Sequence, residues 1–239
     1  MRRVVLWVVF VVLFAGLVVT LIFVFNSFAK QEVKNLISGY IKSNLKLDVA
    51  PIVEINGRFN LFTGHSDEVE ISMESLEYGG FKFQGVNIEL KELKFSLLDL
   101  LLNPERAEVA VSKMKMETTI SQEELNSIFS SRFPGLSIRL SDGKVTANGV
   151  LQLMGRELNF ELNGVIEISG ENSVVLKPHN VRVEGYDLSG EAMNTILNSL
   201  SYDISFGKLP LDVKISRIFI NEGFVTVVWV SEDLEIKMR

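Results

Sequence analysis

His65 and His179 are the only histidines in this 239-residue chain, and it has no cysteine. Nucleophilic catalysis needs a Ser, Thr or Cys held against a base, so the stock of bases is small. His65 lies in Gly64-His65-Ser66-Asp67, which reads as a solvated loop, and His179 follows Pro178 at an expected strand start. The paired carboxylates Glu123-Glu124 and Glu232-Asp233 fall where helix capping and solubility account for them. The chain has no G-x-S-x-G elbow, no P-loop and no H-E-x-x-H. Two acids facing each other across a cleft, as in a glycosidase, are the arrangement that spacing leaves open. Without cysteine there is neither a disulfide framework nor a thiolate metal site. The expectation is a protein that is not an enzyme and uses no cofactor and no metal.

What the chain has in quantity is one-sided apolar pattern. In Arg156–Ile168, R-E-L-N-F-E-L-N-G-V-I-E-I, the residues Leu158, Phe160 and Leu162 alternate with Asn159, Glu161 and Asn163, and Ile166 and Ile168 keep the same parity beyond Gly164. Period-two alternation of this length is a strand with one apolar and one wet face. The greasy face must be covered, by protein or by a ligand such as lipid.

The N-terminus bears on that choice. Met1-Arg2-Arg3 precedes Val4–Phe25, 22 residues without a charge. As a helix they span roughly 33 Å, against about 30 Å of bilayer hydrocarbon. The stretch reads as a single membrane span, with Arg2 and Arg3 keeping the N-terminus in the cytoplasm and everything after residue 29 sent across. Lys30 and Lys34, on the far side, reduce that charge asymmetry. Ser27-Phe28-Ala29 also fits a small-x-small cleavage site, so a signal peptide is the alternative, although its apolar region would far exceed the usual ~7–15 residues. The rest of the chain carries all 30 acidic residues and 22 of the 24 basic ones, a net charge of −8. Such a domain is a poor partner for nucleic acid and is not drawn to anionic lipid by charge.

The elements that must position the strand can be read in order. Glu32–Asn44 carries Val33, Leu36, Ile37, Tyr40 and Ile41 on one helical stripe. Asn56-Gly57 signals a turn, after which strands take over. Val69-Ile71-Met73, Phe81-Phe83 and Val86-Ile88-Leu90 alternate with polar residues, with a parity switch at Gly85 that suggests a bulge. Ser96–Leu102 reads as a Ser-capped helical turn stopped by Pro104, and Glu108–Thr119 as a strand with a second switch between Val111 and Met114. Ser121 and Glu124 form a capping box, with Ile120 and Leu125 as its staple, at the start of a helix whose stripe is Leu125, Ile128, Phe129 and Phe133. A second helix is expected over Gly190–Ser201 with Met193, Ile196, Leu197 and Leu200 on one face. Each helix is followed by a proline and a hairpin, Ile138–Thr146 and Ile218–Thr226, sharing I-x-[LI]-[SN]-[DE]-G-x-V-T. This suggests two units built on one plan.

The order of these features resembles the LmeA-like phospholipid-binding family of bacterial envelope proteins. The likeness is carried by V-E-I-N-G-R-F-N-L-F-T-G (Val53–Gly64), I-S-Q-E-E-L-N-S-I-F (Ile120–Phe129), L-S-D-G-K-V-T-A-N-G (Leu140–Gly149), V-R-V-E-G-Y-D-L-S-G (Val181–Gly190) and F-G-K-L-P-L-D-V-K-I-S-R-I-F-I-N-E-G (Phe206–Gly223). It covers nearly all of residues 30–230. Arg58 precedes Phe59 where the family pattern often has a proline, which bears on the loop and not on the fold. The resemblance implies a domain similar to the tubular lipid-binding (TULIP-like) proteins, a long twisted sheet curled about amphipathic helices around a greasy channel. Leu93–Glu117 also resembles the strand, helical turn and strand of AsmA-like envelope proteins, which have one N-terminal anchor and bridge or move lipids. The motifs are turn glycines and alternating apolar positions, so they specify a fold more than an activity.

The expected fold is therefore mainly β, in the α+β class, with residues 1–29 as cytoplasmic tip and transmembrane anchor and 30–239 as an extracytoplasmic domain. The expected ligand is a phospholipid or glycolipid, held by its acyl chains in support of envelope lipid metabolism. The candidate contacts are Leu158, Phe160, Leu162, Ile166 and Ile168 on the strand, Leu125, Ile128 and Phe129 on the capped helix, and Met193, Ile196, Leu197 and Leu200 on the second helix. An ordinary packed core explains the same alternation. A non-catalytic scaffold for envelope enzymes, or an AsmA-like transport accessory, is the alternative function.

Overall fold

A single helix, α1 (Arg2–Leu45), carries both the uncharged stretch and the amphipathic one without interruption. The helix expected at Glu32–Asn44 is present as a continuation of the uncharged stretch: Asn26–Gln31 contains neither Gly nor Pro, and nothing in it ends a helix. The computed structural model describes residues 2–60, 62–103, 107–132, 134–153, 156–190, 202–207, 209 and 211–237. Along α1, Val12–Phe25 is exposed, whereas Ala29, Val33, Leu36, Ile37, Ile41 and Leu45 form one buried stripe. Among the described residues α1 is the one helix long and apolar enough to cross a membrane, a test that a signal sequence also passes.

The strands that follow are β1 (Ile52–Asn60), β2 (His65–Tyr78) and β3 (Phe81–Phe95). After the short helix α2 (Leu97–Leu102) come β4 (Glu108–Ser121), helix α3 (Gln122–Arg132), β5 (Ser137–Ser141), β6 (Lys144–Leu153), β7 (Arg156–Ile168) and β8 (Ser173–Val183). The chain continues with β9 (Tyr186–Asp187), β10 (Tyr202–Ser205), β11 (Lys214–Asn221) and β12 (Phe224–Lys237). They form two antiparallel sheets, ordered β1-β2-β3-β4-β12-β11 and β10-β8-β7-β6-β5, with β9 beside β8. This corrects the expectation of one long sheet. Alternation reveals that a strand is one-sided but not which edge it pairs with.

Two compact units divide the chain. One holds residues 1–70, 90–112 and 235–239, the other residues 71–89 and 113–234. In the first, α1 packs on β1 and α2, Phe59 stacks on Phe95 at 5.3 Å, and the Phe95 amide donates to Gly64 O at 2.8 Å. Gly57, expected in a turn, instead sits inside β1 at φ +70°. The next amide, Arg58 N, donates to the Asp67 carboxylate at 3.1 Å, so the Asn-Gly pair makes a kink in a continuing strand. Ser96 caps α2 by accepting from Asp99 N at 3.3 Å, as expected.

The bulges expected in β3 and β4 are present in the burial pattern. Burial shifts phase between Phe83 and Val86, around Gly85 at φ +56°, and between Val111 and Met114. In the second unit the core is aromatic. Phe206 lies 4.8 Å from Phe81, 5.8 Å from Phe83 and 5.4 Å from Trp229, the two closest contacts being edge-on as ring quadrupoles favour. The fully buried Trp229 donates its indole N–H to Thr118 Oγ1 at 3.0 Å.

Candidate functional site

The face of Leu158–Ile168 is built by register. Across β6, β7 and β8 the partners are Ala147, Leu162 and Val181 in one row and Gly149, Phe160 and Val183 in the next, with Leu151 opposite Leu158. Beyond these, Ile166 pairs with Leu176, and Ile168 with Val174, which in turn meets Ile204 of β10. All five residues singled out on this strand share one face. β8 skips a residue between its partners of Asn163 and Gly164, so that exposed His179 is the extra residue of a bulge rather than the start of a strand.

Burial divides that face. Phe160 and Leu162, at its centre, are buried, Leu158 and Ile166 are half-buried, and Ile168 at the end is exposed. Protein therefore covers the middle, and the flanks stay open. Gly149 leaves room for the cover: a Cβ there would stand 2.5 Å from the Phe160 ring, which occupies that space. Near the other end, β11 lies against β7 and β5, and Ile215 N donates to Glu171 O in the β7–β8 turn at 2.7 Å.

α3 is placed by its polar residues as much as by its stripe. Glu124 N donates to Ser121 Oγ at 3.2 Å, one half of the expected capping box, but the Glu124 carboxylate accepts from Lys82 N at 3.1 Å, at the start of β3. Gln122 and Asn126, four apart and so on one helix face, take up the free edge of β5. Leu140 N donates to Gln122 Oε1 at 2.7 Å, Ile138 N donates to Asn126 Oδ1 at 2.5 Å, and Asn126 Nδ2 donates to Ile138 O at 2.9 Å. The helix thus stands in for a neighbouring strand. Sequence reasoning passed over these two residues, although their i, i+4 spacing before a strand was the available signal.

With α3 fixed in this way, Leu125 and Phe129 are buried and Ile128 is half-buried. Ile128 lines a cavity of about 280 Å³ together with Gly79, Gly80, Phe81, Ser131, Ile204 and Ser205. That lies just below the ~300–1,000 Å³ usual for small-molecule pockets. Phe81 and Ile204 were not anticipated as lining residues; alternation of Ile204 with Phe206 after the expected second helix was the signal. Met193, Ile196, Leu197 and Leu200 lie outside the described residues.

A wider groove of about 550 Å³ has a mixed lining, in which Gly149, Val150 and Phe160 stand beside Asn148, Asn159, Glu161 and Arg182. Its one cation is already engaged: the Arg182 guanidinium donates to Asp187 at 2.8 Å and lies 3.9 Å from Glu161. The hydrogen bond and charge of Asp187 raise the Arg182 pKa, and Arg182 in turn holds the Asp187 carboxyl below its ordinary value. Two acids against one arginine leave no net attraction for an anionic headgroup here. Among chemically active groups, His65 lies 3.2 Å from Asp67 in the first unit, and no cluster of metal-ligating side chains occurs among the described residues.

The described residues thus offer an N-terminal apolar helix, two antiparallel sheets and a small cavity of mixed apolar and polar lining beside a capped helix. The chain belongs to the LmeA-like phospholipid-binding family, whose model matches residues 24–228, from the end of the uncharged stretch into β12. Neither the curated proteins nor the solved structures gave a match.

Proposed function

We propose that this protein is a single-pass, membrane-anchored lipid-binding protein whose domain stands outside the cytoplasmic membrane and holds phospholipid or glycolipid by the acyl chains. Membership of a phospholipid-binding family over most of the chain carries this reading. The division at residue 29, the outward orientation and an uncleaved anchor belong to the same proposal, as does the likeness to TULIP-like folds. A chain end would enter beside Ile128, Phe81 and Ile204, with the half-buried or exposed Leu158, Ile166 and Ile168 as further contact surface. Phe160, Leu162, Leu125 and Phe129, all buried, remain proposed contacts together with Met193, Ile196, Leu197 and Leu200. Each methylene removed from water contributes roughly 0.8 kcal/mol, so a few of them outweigh a net hydrogen bond of about 1 kcal/mol. Binding is then passive, without a nucleophile or base.

The packed centre of the β7 face favours a second reading, in which the domain is a scaffold for envelope enzymes. The two are separated by reconstituting the full chain with a phospholipid bearing a diazirine at its chain terminus. Photolysis should label peptides containing Ile128 or Ile204 as well as α1, and Ile128→Trp should abolish only the former. Labelling confined to Val4–Phe25 would leave the scaffold ahead. Protease added outside spheroplasts should remove the domain and leave an embedded stub, whereas a mature N-terminus at Lys30 would show cleavage.

A further inference from the structure

α2 reads Leu97-Leu98-Asp99-Leu100-Leu101-Leu102, five leucines in six residues. A helix that short cannot bury leucine all round, and Leu98 and Leu102, four apart on one face, are 67% and 72% exposed. Phe62, in the turn between β1 and β2, is 76% exposed. Single exposed apolar residues need no explanation, but three large ones at one end of one unit do.

Contacts within the first unit show which end this is. Lys30 of α1 sits 5.7 Å over the ring of Phe59, near the end of β1, and Phe59 stacks on Phe95, the residue immediately before Ser96 and α2. The Phe95 amide, bonded to Gly64 O, ties α2 to the turn that carries Phe62. Turn and helix therefore lie level with Lys30, just past the exposed Phe28 and the exposed apolar run that ends at Phe25. Val49, 79% exposed, follows the opposite end of α1 beyond Leu45, about 24 Å further along the axis from Ala29.

We propose that Phe62, Leu98 and Leu102, with Phe28, form an apolar collar that inserts into the headgroup and acyl boundary of the bilayer that α1 crosses. The inference rests on α1 being a membrane span. Continuity with that span identifies the occupant as lipid surface. Charge does not supply the contact, because the exported part carries −8. Apolar insertion of this kind buries side chains about 5–10 Å into the interface. The collar gives the domain a fixed seating on the membrane in addition to its tether.

The absence of native cysteine allows single-cysteine variants of the full chain, at Phe62, Leu98, Leu102, Val49 and Val18, each carrying an environment-sensitive fluorophore in phosphatidylcholine vesicles. Labels at Phe62, Leu98 and Leu102 should emit to the blue of the Val49 label and lose intensity when a nitroxide-bearing lipid is included. Val18, within the apolar run, reports on the span itself. A quenched Val18 label with Phe62, Leu98 and Leu102 labels as wet as Val49 overturns the collar and leaves the span standing. An unquenched Val18 label overturns both. A protease-resistance check on each variant shows that the unit is folded.

Discussion

Gly143 and Gly223 hold equivalent places in two hairpin turns and exchange hydrogen bonds between the hairpins. Gly143 N donates to Ile220 O at 3.0 Å, and Gly223 N to Leu140 O at 3.4 Å. Leu140 and Ile220 are themselves the third residue of the shared I-x-[LI]-[SN]-[DE]-G-x-V-T, so the nine-residue match reports a local two-fold relation between the edge of one sheet and the edge of the other. Both turns need a left-handed residue, at φ +72° and +80°, with open space around the missing Cβ. Replacing either by Ala should cost about 1–2 kcal/mol from backbone conformation alone. Denaturant melts of the two single variants and the double variant should show non-additive costs, and strict additivity would contradict the exchange.

The same substitution should have opposite consequences at two candidate contacts. Leu162 is 2% exposed, and Leu162→Trp should destabilise by about 1–3 kcal/mol or more, as overpacking does. Ile128 faces the cavity, so Ile128→Trp should leave the melting temperature nearly unchanged while reducing bound lipid. A large drop at both positions would make the cavity ordinary core.

Adjacent glycines in the β2–β3 turn make a sharper comparison. Gly79 and Gly80 both have positive φ, but a Cβ on Gly79 would meet Phe206 O at 2.6 Å, whereas one on Gly80 meets nothing within 4 Å. Gly80→Ala should cost about 1–2 kcal/mol. Gly79→Ala should cost clearly more, because Phe206 must move together with its aromatic neighbours. Equal melting temperatures would argue against this packing.

Thr118→Val keeps the shape but strands the indole N–H of a fully buried Trp229. The loss should be about 1–3 kcal/mol, the range for an unsatisfied buried donor. In a Trp7→Phe background the emission of Trp229 should change as well, and an unaltered spectrum with unaltered stability would count against the bond.

Legibility followed the range of the interactions. The parity of Leu158–Ile168, the cap of α3 by Ser121 and the switches at Gly85 and after Val111 are local, and residue type alone conveys them. Asn56-Gly57 misled because a distant carboxylate, Asp67, secures the next amide inside a continuing strand. That Phe160 and Leu162 are covered by protein depends on the packing of neighbouring strands and on the space left by Gly149, relations that periodicity does not carry. The edge pairing of β5 by Gln122 and Asn126 also depends on packing between elements, and their i, i+4 spacing marks only that the two share a helix face.

The unbroken course of α1 has a mechanical consequence. At 44 residues it is about 66 Å long, of which roughly 30 Å would lie in hydrocarbon. The part beyond is the same rod, buried along one stripe in the first unit. Such an attachment is a mast rather than a leash: it transmits tilt and rotation to the unit instead of absorbing them. Helix tilt responds to bilayer thickness. The angle of the first unit to the membrane should then follow acyl-chain length, measurable by energy transfer from the Val49 position to a lipid-borne acceptor. A Gly-Gly-Ser insertion after Ser27 should abolish that dependence. With α1 as the proposed span, membrane thickness would become an input to how the unit is presented.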